Sequence, residues 1–232
     1  MTVTACASPS LALVKYWGKL EGGVNLPATP SLGVTLGELR TTTTVTESRD
    51  ADEVVVGGRR QPLEPYAPVI RLFRDRSSSS ALRAGPIRVE SENSFPTAAG
   101  LASSSSGFAA FALALDAWFE TGLDREELSR AARMGSGSAS RALWGGFTTW
   151  ERGAAHAEPL LPASHWPELR VLVTVLHTGE KPVSSRAGMN RTSATSPIFE
   201  QWCDASQSVY ERGLAALRAH KLDALGAAMR ES

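Results

Sequence analysis

The stretch Pro96-Thr97-Ala98-Ala99-Gly100-Leu101-Ala102-Ser103-Ser104-Ser105-Ser106-Gly107 decides how this chain folds. Before it, Ile87 to Glu92 alternates apolar and polar residues, the period of a half-buried strand. After it, Phe108 to Phe119 is apolar nearly all round, which predicts a buried helix. A loop of small residues between strand and helix turns backbone N–H groups and the positive end of a helix dipole toward any anion placed there. The serine hydroxyls add neutral donors or ligands for Mg²⁺, and no bulky side chain blocks a phosphate. No Gly-Lys-Ser/Thr follows, so this is not a Walker loop. A flexible Gly/Ser linker is the plain alternative.

Outward from this stretch the chain alternates strands and helices. Leu11 to Tyr16 reads as a short strand, and the Thr-rich run Val34 to Ser48 as a long one. Glu53 to Val56 followed by Gly57-Gly58 reads as a hairpin. Pro68 to Arg76 fits a helix with Val69, Ile70, Leu72 and Phe73 inward. Asp124 with Glu127 forms a capping box ahead of another helix. Phe147 to Trp150 reads as a strand and Arg170 to His177 as a buried one. Ser196-Pro197 looks like an N-cap with Pro at the first helical position, opening a helix to about Ala219; Leu222 to Met229 adds a last one. The class is α+β.

Three further clusters suggest anion chemistry. Gly135-Ser136-Gly137-Ser138-Ala139-Ser140-Arg141 repeats the small-donor logic and ends in a cation able to hold a phosphate bidentately; a turn with a surface Arg is its plain reading. Lys15-Tyr16-Trp17-Gly18-Lys19 would place Lys15, Trp17 and Lys19 on one face of a strand, either as cations for an anionic substrate or as snorkelling edge residues. Ser184-Ser185-Arg186 means little alone. His156, His165, His177 and His220 show no ligand spacing, and no protease or glycosidase constellation is evident.

Composition narrows the class. There are 24 Lys+Arg against 24 Asp+Glu, and the isoelectric point is near 6.9. That balance argues against a nucleic-acid partner and against polybasic membrane attachment. Cys6 and Cys203 are too few for a disulfide framework. The N-terminus shows no signal-peptide pattern, and Phe108 to Phe119 is too short to span a bilayer, so a cytoplasmic protein is expected.

Together these stretches resemble the GHMP kinase superfamily and, within it, the diphosphomevalonate decarboxylase family. Lys15-Tyr16-Trp17-Gly18-Lys19 with Asn25-Leu26-Pro27 is similar to that family's KYWGK…NLP run. Phe95 to Ser104 is similar to its FPTAAGLASS loop, and Gly135 to Arg141 to its GSGSACR motif with Ser for Cys. Ser184-Ser185-Arg186, Gly188-Met189 and Thr195-Ser196 are similar to its SSRxGM…TS run.

The resemblance implies a GHMP kinase fold: a ribosomal-protein-S5-domain-2-like ATP-binding domain over residues 1–168, and the beginning of a ferredoxin-like domain over 169–232. It implies ATP with Mg²⁺ on Pro96, Ala98, Ala99, Gly100, Leu101, Ala102, Ser103, Ser104 and Ser105, with Ser104 near the metal. The substrate, mevalonate 5-diphosphate, would be held by Tyr16, Trp17, Gly18, Lys19, Ser136, Gly137, Ser138, Ala139, Ser140, Arg141, Ser185 and Arg186. Lys15, Lys19 and Arg141 would be the catalytic cations. The C3 hydroxyl would be phosphorylated, and loss of that phosphate with CO₂ would give isopentenyl diphosphate. A homodimer is implied weakly.

This chain departs from the family at Ser10, where Asn is usual, and at Thr29 and Gly33, where Asn and Ser are usual. The family's catalytic Asp lies in an FxxDAGPN run that does not occur in these 232 residues, so the chain is expected to stop short of it. These departures leave two alternatives open: a phosphomevalonate decarboxylase or related small-molecule kinase, and an inactive nucleotide-binding remnant.

Overall fold

A computed structural model describes residues 1–96, 100–174 and 183–232. Two mixed layers form around two sheets. The first sheet is built from β1 (Thr2–Ala7), β4 (Thr41–Glu47), β5 (Glu53–Val56), β6 (Arg59–Arg60) and β7 (Ile87–Asn93), in the order β1-β4-β7-β5-β6. The second holds β2 (Ser10–Val14), β3 (Ser31–Thr35), β8 (Phe147–Trp150) and β9 (Glu158–Leu161), in that order.

The first sheet is covered by α1 (Ala67–Arg76), the short α2 (Ser80–Ala84), α3 (Ser103–Phe119) and α4 (Arg125–Gly135). Its inward positions, Val45, Val54, Ile87 and Val89, meet Phe111, Leu115 and Phe119 of α3. Burial of each such side chain is worth about 1.5–3 kcal/mol. Because Ala, Leu, Phe and Trp fill nearly all of its circumference from Phe108 onward, α3 is the buried centre of this layer, as the apolar run predicts. The capping box at Asp124 and Glu127 opens α4 as expected. After α5 (Ser185–Thr195), helices α6 (Phe199–Arg218) and α7 (Leu222–Glu231) cover the second sheet, with Val209, Leu217 and Leu225 against Leu13, Val14 and Leu32.

Four expectations are corrected. The long strand over Val34 to Ser48 is two strands in different sheets. A turn at Gly37-Glu38 separates them, held by Leu36 N–H to Pro9 O at 2.9 Å. Lys15 to Lys19 is not strand: β2 ends at Val14, and Gly18 takes φ +88° where a Cβ would lie 2.5 Å from the Phe199 ring. Ser196 closes α5 instead of capping α6, whose first residue is Phe199. Of the strand expected over Arg170 to His177, residues 175–177 lie outside the described residues. Residues 170–174 form no strand and are exposed, Leu172 at 92 %, since no described strand runs beside them to take their hydrogen bonds.

Among the described residues no helix is long and apolar enough to cross a membrane.

Candidate active site

The two small-residue loops meet. Helix α3 starts at Ser103, after Ala102 in a left-handed conformation (φ +55°) and with no side chain capping its first turn. The second loop follows α4 directly and coils into a 3-10 turn over Gly137–Leu143. Gly135 lets the two helices cross closely, because a Cβ there would lie 1.9 Å from the Phe108 ring. Ser105 Oγ donates to Ser138 O at 3.0 Å and so ties loop to loop.

A cleft of about 420 Å³ opens beside this junction. Gly100, Ala102 and Ser104 border it from the first loop and Ser136, Gly137, Ser138 and Arg141 from the second. Lys15, Tyr16, Trp17 and Lys19 enter from the segment after β2, and Ser184, Ser185 and Arg186 from the start of α5. Lys15 and Lys19 therefore reach one cleft although no strand aligns them; Lys15 Nζ lies 5.7 Å from the Trp17 ring. Among the described residues lining it there are four Lys or Arg side chains and no Asp or Glu.

Arg141 is the most deeply placed cation. It is 2 % exposed, and its guanidinium donates through NH1 to Ser31 Oγ at 2.7 Å and through Nε to Ser10 Oγ at 3.4 Å. Among the described residues no carboxylate pairs with it. Burial lowers its pKa to about 10, partly offset by Tyr16, and it remains a cation at neutral pH. Tyr16 is buried, its ring 4.9 Å from Trp150, and its hydroxyl has no hydrogen-bond partner among the described residues. Burial raises the phenol to about 12 against the pull of Arg141, Arg133 and Arg186, so the hydroxyl stays protonated and able to donate. Burial, then the nearby Arg186 charge, lowers the Lys19 ammonium from its ordinary value. Arg186 is held by NH2 donating to Gly135 O at 2.9 Å.

Other sequence candidates point elsewhere. Ala139 packs in the core, and Ser140 Oγ is buried beside Ser129 Oγ (2.7 Å) and accepts from Ala157 N–H (2.8 Å). Ser105 faces inward. Pro96 and Leu101 border a second, more apolar cavity with Phe95, Trp166 and Val171. Gly18 serves the turn and does not line the cleft. Ala98 and Ala99 lie outside the described residues. The sequence reading gave no role to Asn25, Pro65, Phe108 or Met189, which also border the cleft. Met189 carried a signal as part of the pair Gly188-Met189, and Asn25 as part of the NLP run. The Asn25 φ of +56° and its Nδ2 donation to Arg133 O (2.8 Å) and Met134 O (3.1 Å) dock this segment on the end of α4.

The diphosphomevalonate decarboxylase-like N-terminal domain matches residues 7–160. The diphosphomevalonate decarboxylase of Aspergillus fumigatus is 41 % identical over 218 residues, covering 84 % of this chain and 54 % of the relative. That of Bos taurus is 41 % identical over 223 residues, 86 % of this chain and 55 % of the relative. The chain thus spans about half the length of the curated relatives it matches. The mevalonate diphosphate decarboxylase structure from Trypanosoma brucei superposes with a TM-score of 0.88 at 31 % identity, covering 100 % of this chain and 65 % of that one. A structure of the Enterococcus faecalis enzyme, described for mevalonate diphosphate mediated ATP binding, gives 0.81 at 34 % identity, with 99 % and 71 % covered. Another, of a protein named MDDEF in complex with MVAPP, AMPPCP and magnesium, gives 0.83 at 35 % identity, with 99 % and 72 % covered. The fold is the α+β fold of the GHMP kinases, and the chain belongs to the diphosphomevalonate decarboxylase-like family.

Proposed function

We propose that this chain carries the substrate-binding half of an ATP-dependent decarboxylase that converts mevalonate 5-diphosphate to isopentenyl diphosphate. The observation that carries the reading is the cleft itself: Lys15, Lys19, Arg141 and Arg186 with serine hydroxyls and no carboxylate among its described lining residues. Such a site fits a polyanion that brings its own counter-charge. Tyr16, Ser136, Ser138, Lys19 and Arg186 would hold the diphosphate, and Arg141 an anionic group at the buried end.

The first loop fits a nucleotide. Gly100 and Ala102 leave the backbone open, the first turn of α3 has no side-chain cap, and Ser104 borders the cleft. With no carboxylate among the described residues lining the cleft, Mg²⁺ would arrive on the phosphates, with the Ser104 hydroxyl as its nearest described protein ligand. Bound ATP supplies the phosphoryl group that turns a tertiary hydroxyl into a leaving group. The chain's own residues bind and orient the substrate, neutralise charge and, by the buried walls around Tyr16 and Arg141, keep water from the reacting end. The test is calorimetric titration of the chain with mevalonate 5-diphosphate and with Mg-ATP, together with phosphate and CO₂ release by a product that carries the family's Asp. Absence of substrate binding overturns the reading.

The second reading, phosphomevalonate as substrate, rests on Ser10. It lines the cleft with a short hydroxyl bonded to Arg141 where the resemblance leads one to expect Asn. Preferential binding of the monophosphate in parallel titrations would favour it.

A further inference from the structure

We propose that Gly33 and Ser10 are positioning residues for the Arg141 guanidinium, with Gly33 acting by the side chain it lacks. Gly33 lies inside β3, between Ala12 of β2 and Thr148 of β8. Its backbone is not in the left-handed region, so no turn calls for glycine, and glycine inside a strand costs about 0.5–1 kcal/mol. What calls for it is space. A Cβ at Gly33 would lie 2.6 Å from Ser10 Oγ, 2.7 Å from Thr148 Oγ1 and 2.8 Å from Arg141 Nε. All three neighbours are buried, at 1 %, 0 % and 2 % exposure, so none can swing into solvent. A glycine inside a strand commonly marks the close approach of another group; here that group is Arg141.

The guanidinium is therefore located by one gap and two hydroxyls. Ser31 accepts from NH1, Ser10 accepts from Nε, and the missing Cβ leaves the path along which Arg141 crosses the sheet. The Thr148 hydroxyl is buried beside the same gap without a hydrogen-bond partner among the described residues, so these leave the niche unclosed by a polar network of its own. With no carboxylate among the described residues to fix it, the direction of Arg141 depends on these neutral neighbours. Any side chain at position 33 pushes Nε from Ser10 and moves the cation relative to the cleft. That the displaced group is the one meeting the substrate rests on the function proposed above.

The experiment uses the whole chain with Gly33→Ala, Ser10→Ala and Arg141→Ala. The Arg141 Nε–H signal in a heteronuclear NMR spectrum, identified by its loss in Arg141→Ala, reports position without any ligand. Calorimetry with inorganic pyrophosphate and with mevalonate 5-diphosphate reports binding. Gly33→Ala is expected to shift the signal and weaken mevalonate diphosphate binding about tenfold, as for one charge-assisted hydrogen bond. The same substitution in the Arg141→Ala background is expected to cost less than about twofold, since coupled residues do not add. Ser10→Ala leaves all the space and removes only the acceptor, so it tests the idea even if Gly33→Ala fails to fold; it too should move the signal. An unmoved signal in these variants, or an equal loss of binding with Arg141 absent, overturns the proposal. A moved signal in a protein that binds neither anion supports the positioning and overturns the substrate reading.

Discussion

Ser105 Oγ and the carbonyl oxygen of Ser138 lie 3.0 Å apart, and this hydrogen bond fastens the first turn of α3 to the loop that carries Arg141. One residue earlier, Ser104 faces the cleft. The two serines should separate cleanly on mutation. Ser105→Ala is expected to lower unfolding free energy by about 1–2 kcal/mol by orphaning the Ser138 carbonyl. Ser104→Ala should leave stability within about 0.5 kcal/mol while weakening Mg-ATP binding. Denaturant melts and nucleotide titrations of both variants check the pair.

Arg141 is a buried cation without an ionic partner among the described residues, so it costs the empty protein stability. Arg141→Met keeps much of the volume and removes the charge. It is expected to raise unfolding free energy by about 1 kcal/mol and to abolish binding of mevalonate diphosphate. A thermal melt and a titration on one preparation suffice; a destabilised variant would mean that the serine contacts outweigh the burial of charge.

Anion affinity should fall in strongly alkaline solution. Lys19 and Arg141 both have pKa values lowered by burial, Arg141 to about 10, so each loses its proton sooner than an exposed counterpart. As pH rises toward that value the cleft loses positive charge, and each lost charge-assisted contact should weaken pyrophosphate binding by about tenfold. Affinity that stays level through pH about 11 would contradict the burial of these groups.

Acid stability turns on Asp52. Burial pushes its carboxyl up, but the bidentate Arg74 guanidinium (2.8 Å to each oxygen) and the Ile87 N–H (2.9 Å) outweigh that and hold it below its ordinary value. A depressed carboxylate contributes stability that is complete above the unfolded pKa of about 3.9 and lost as pH falls through the lower folded value. Asp52→Asn should cost about 1.5–3 kcal/mol near neutrality and flatten the acid limb of a stability profile, as urea melts at several pH values would show.

Much of this was legible in the residues. The strand Ile87–Asn93, the buried helix α3 and the capping box of α4 follow from periodicity and caps. Lys15 and Lys19 were nameable as a pair of cations and Arg141 from a small-donor-plus-cation cluster, while Arg186 gained meaning only from the family resemblance; all four share the cleft. Facing was not legible. In Ser103-Ser104-Ser105-Ser106 the letters are identical, yet Ser105 and Ser106 are buried, the latter 2.6 Å from Thr41 Oγ1. Only the rotation of α3 against the first sheet decides that. Helix α5 was missed because its sequence is polar and buries only Met189, so it carries no amphipathic stripe. Val34 to Ser48 misled because β-branched residues on both sides of Gly37-Glu38 favour strand without saying which sheet.

A cleft with four cations and no carboxylate among its described lining residues has a consequence for how fast the site fills. A formal net charge of zero gives this protein no long-range pull on an anion as a whole. Lys15, Lys19, Arg141 and Arg186 nonetheless line one cleft, and a field gathered there extends about a Debye length, roughly 10 Å at 0.1 M salt. Anions that diffuse within that distance are steered inward, whereas those elsewhere on the surface are not. Capture of a diphosphate should therefore slow steeply as salt is added, with the departure rate changing far less, so that ionic strength sets the tempo of loading in a molecule that is electrically neutral from afar.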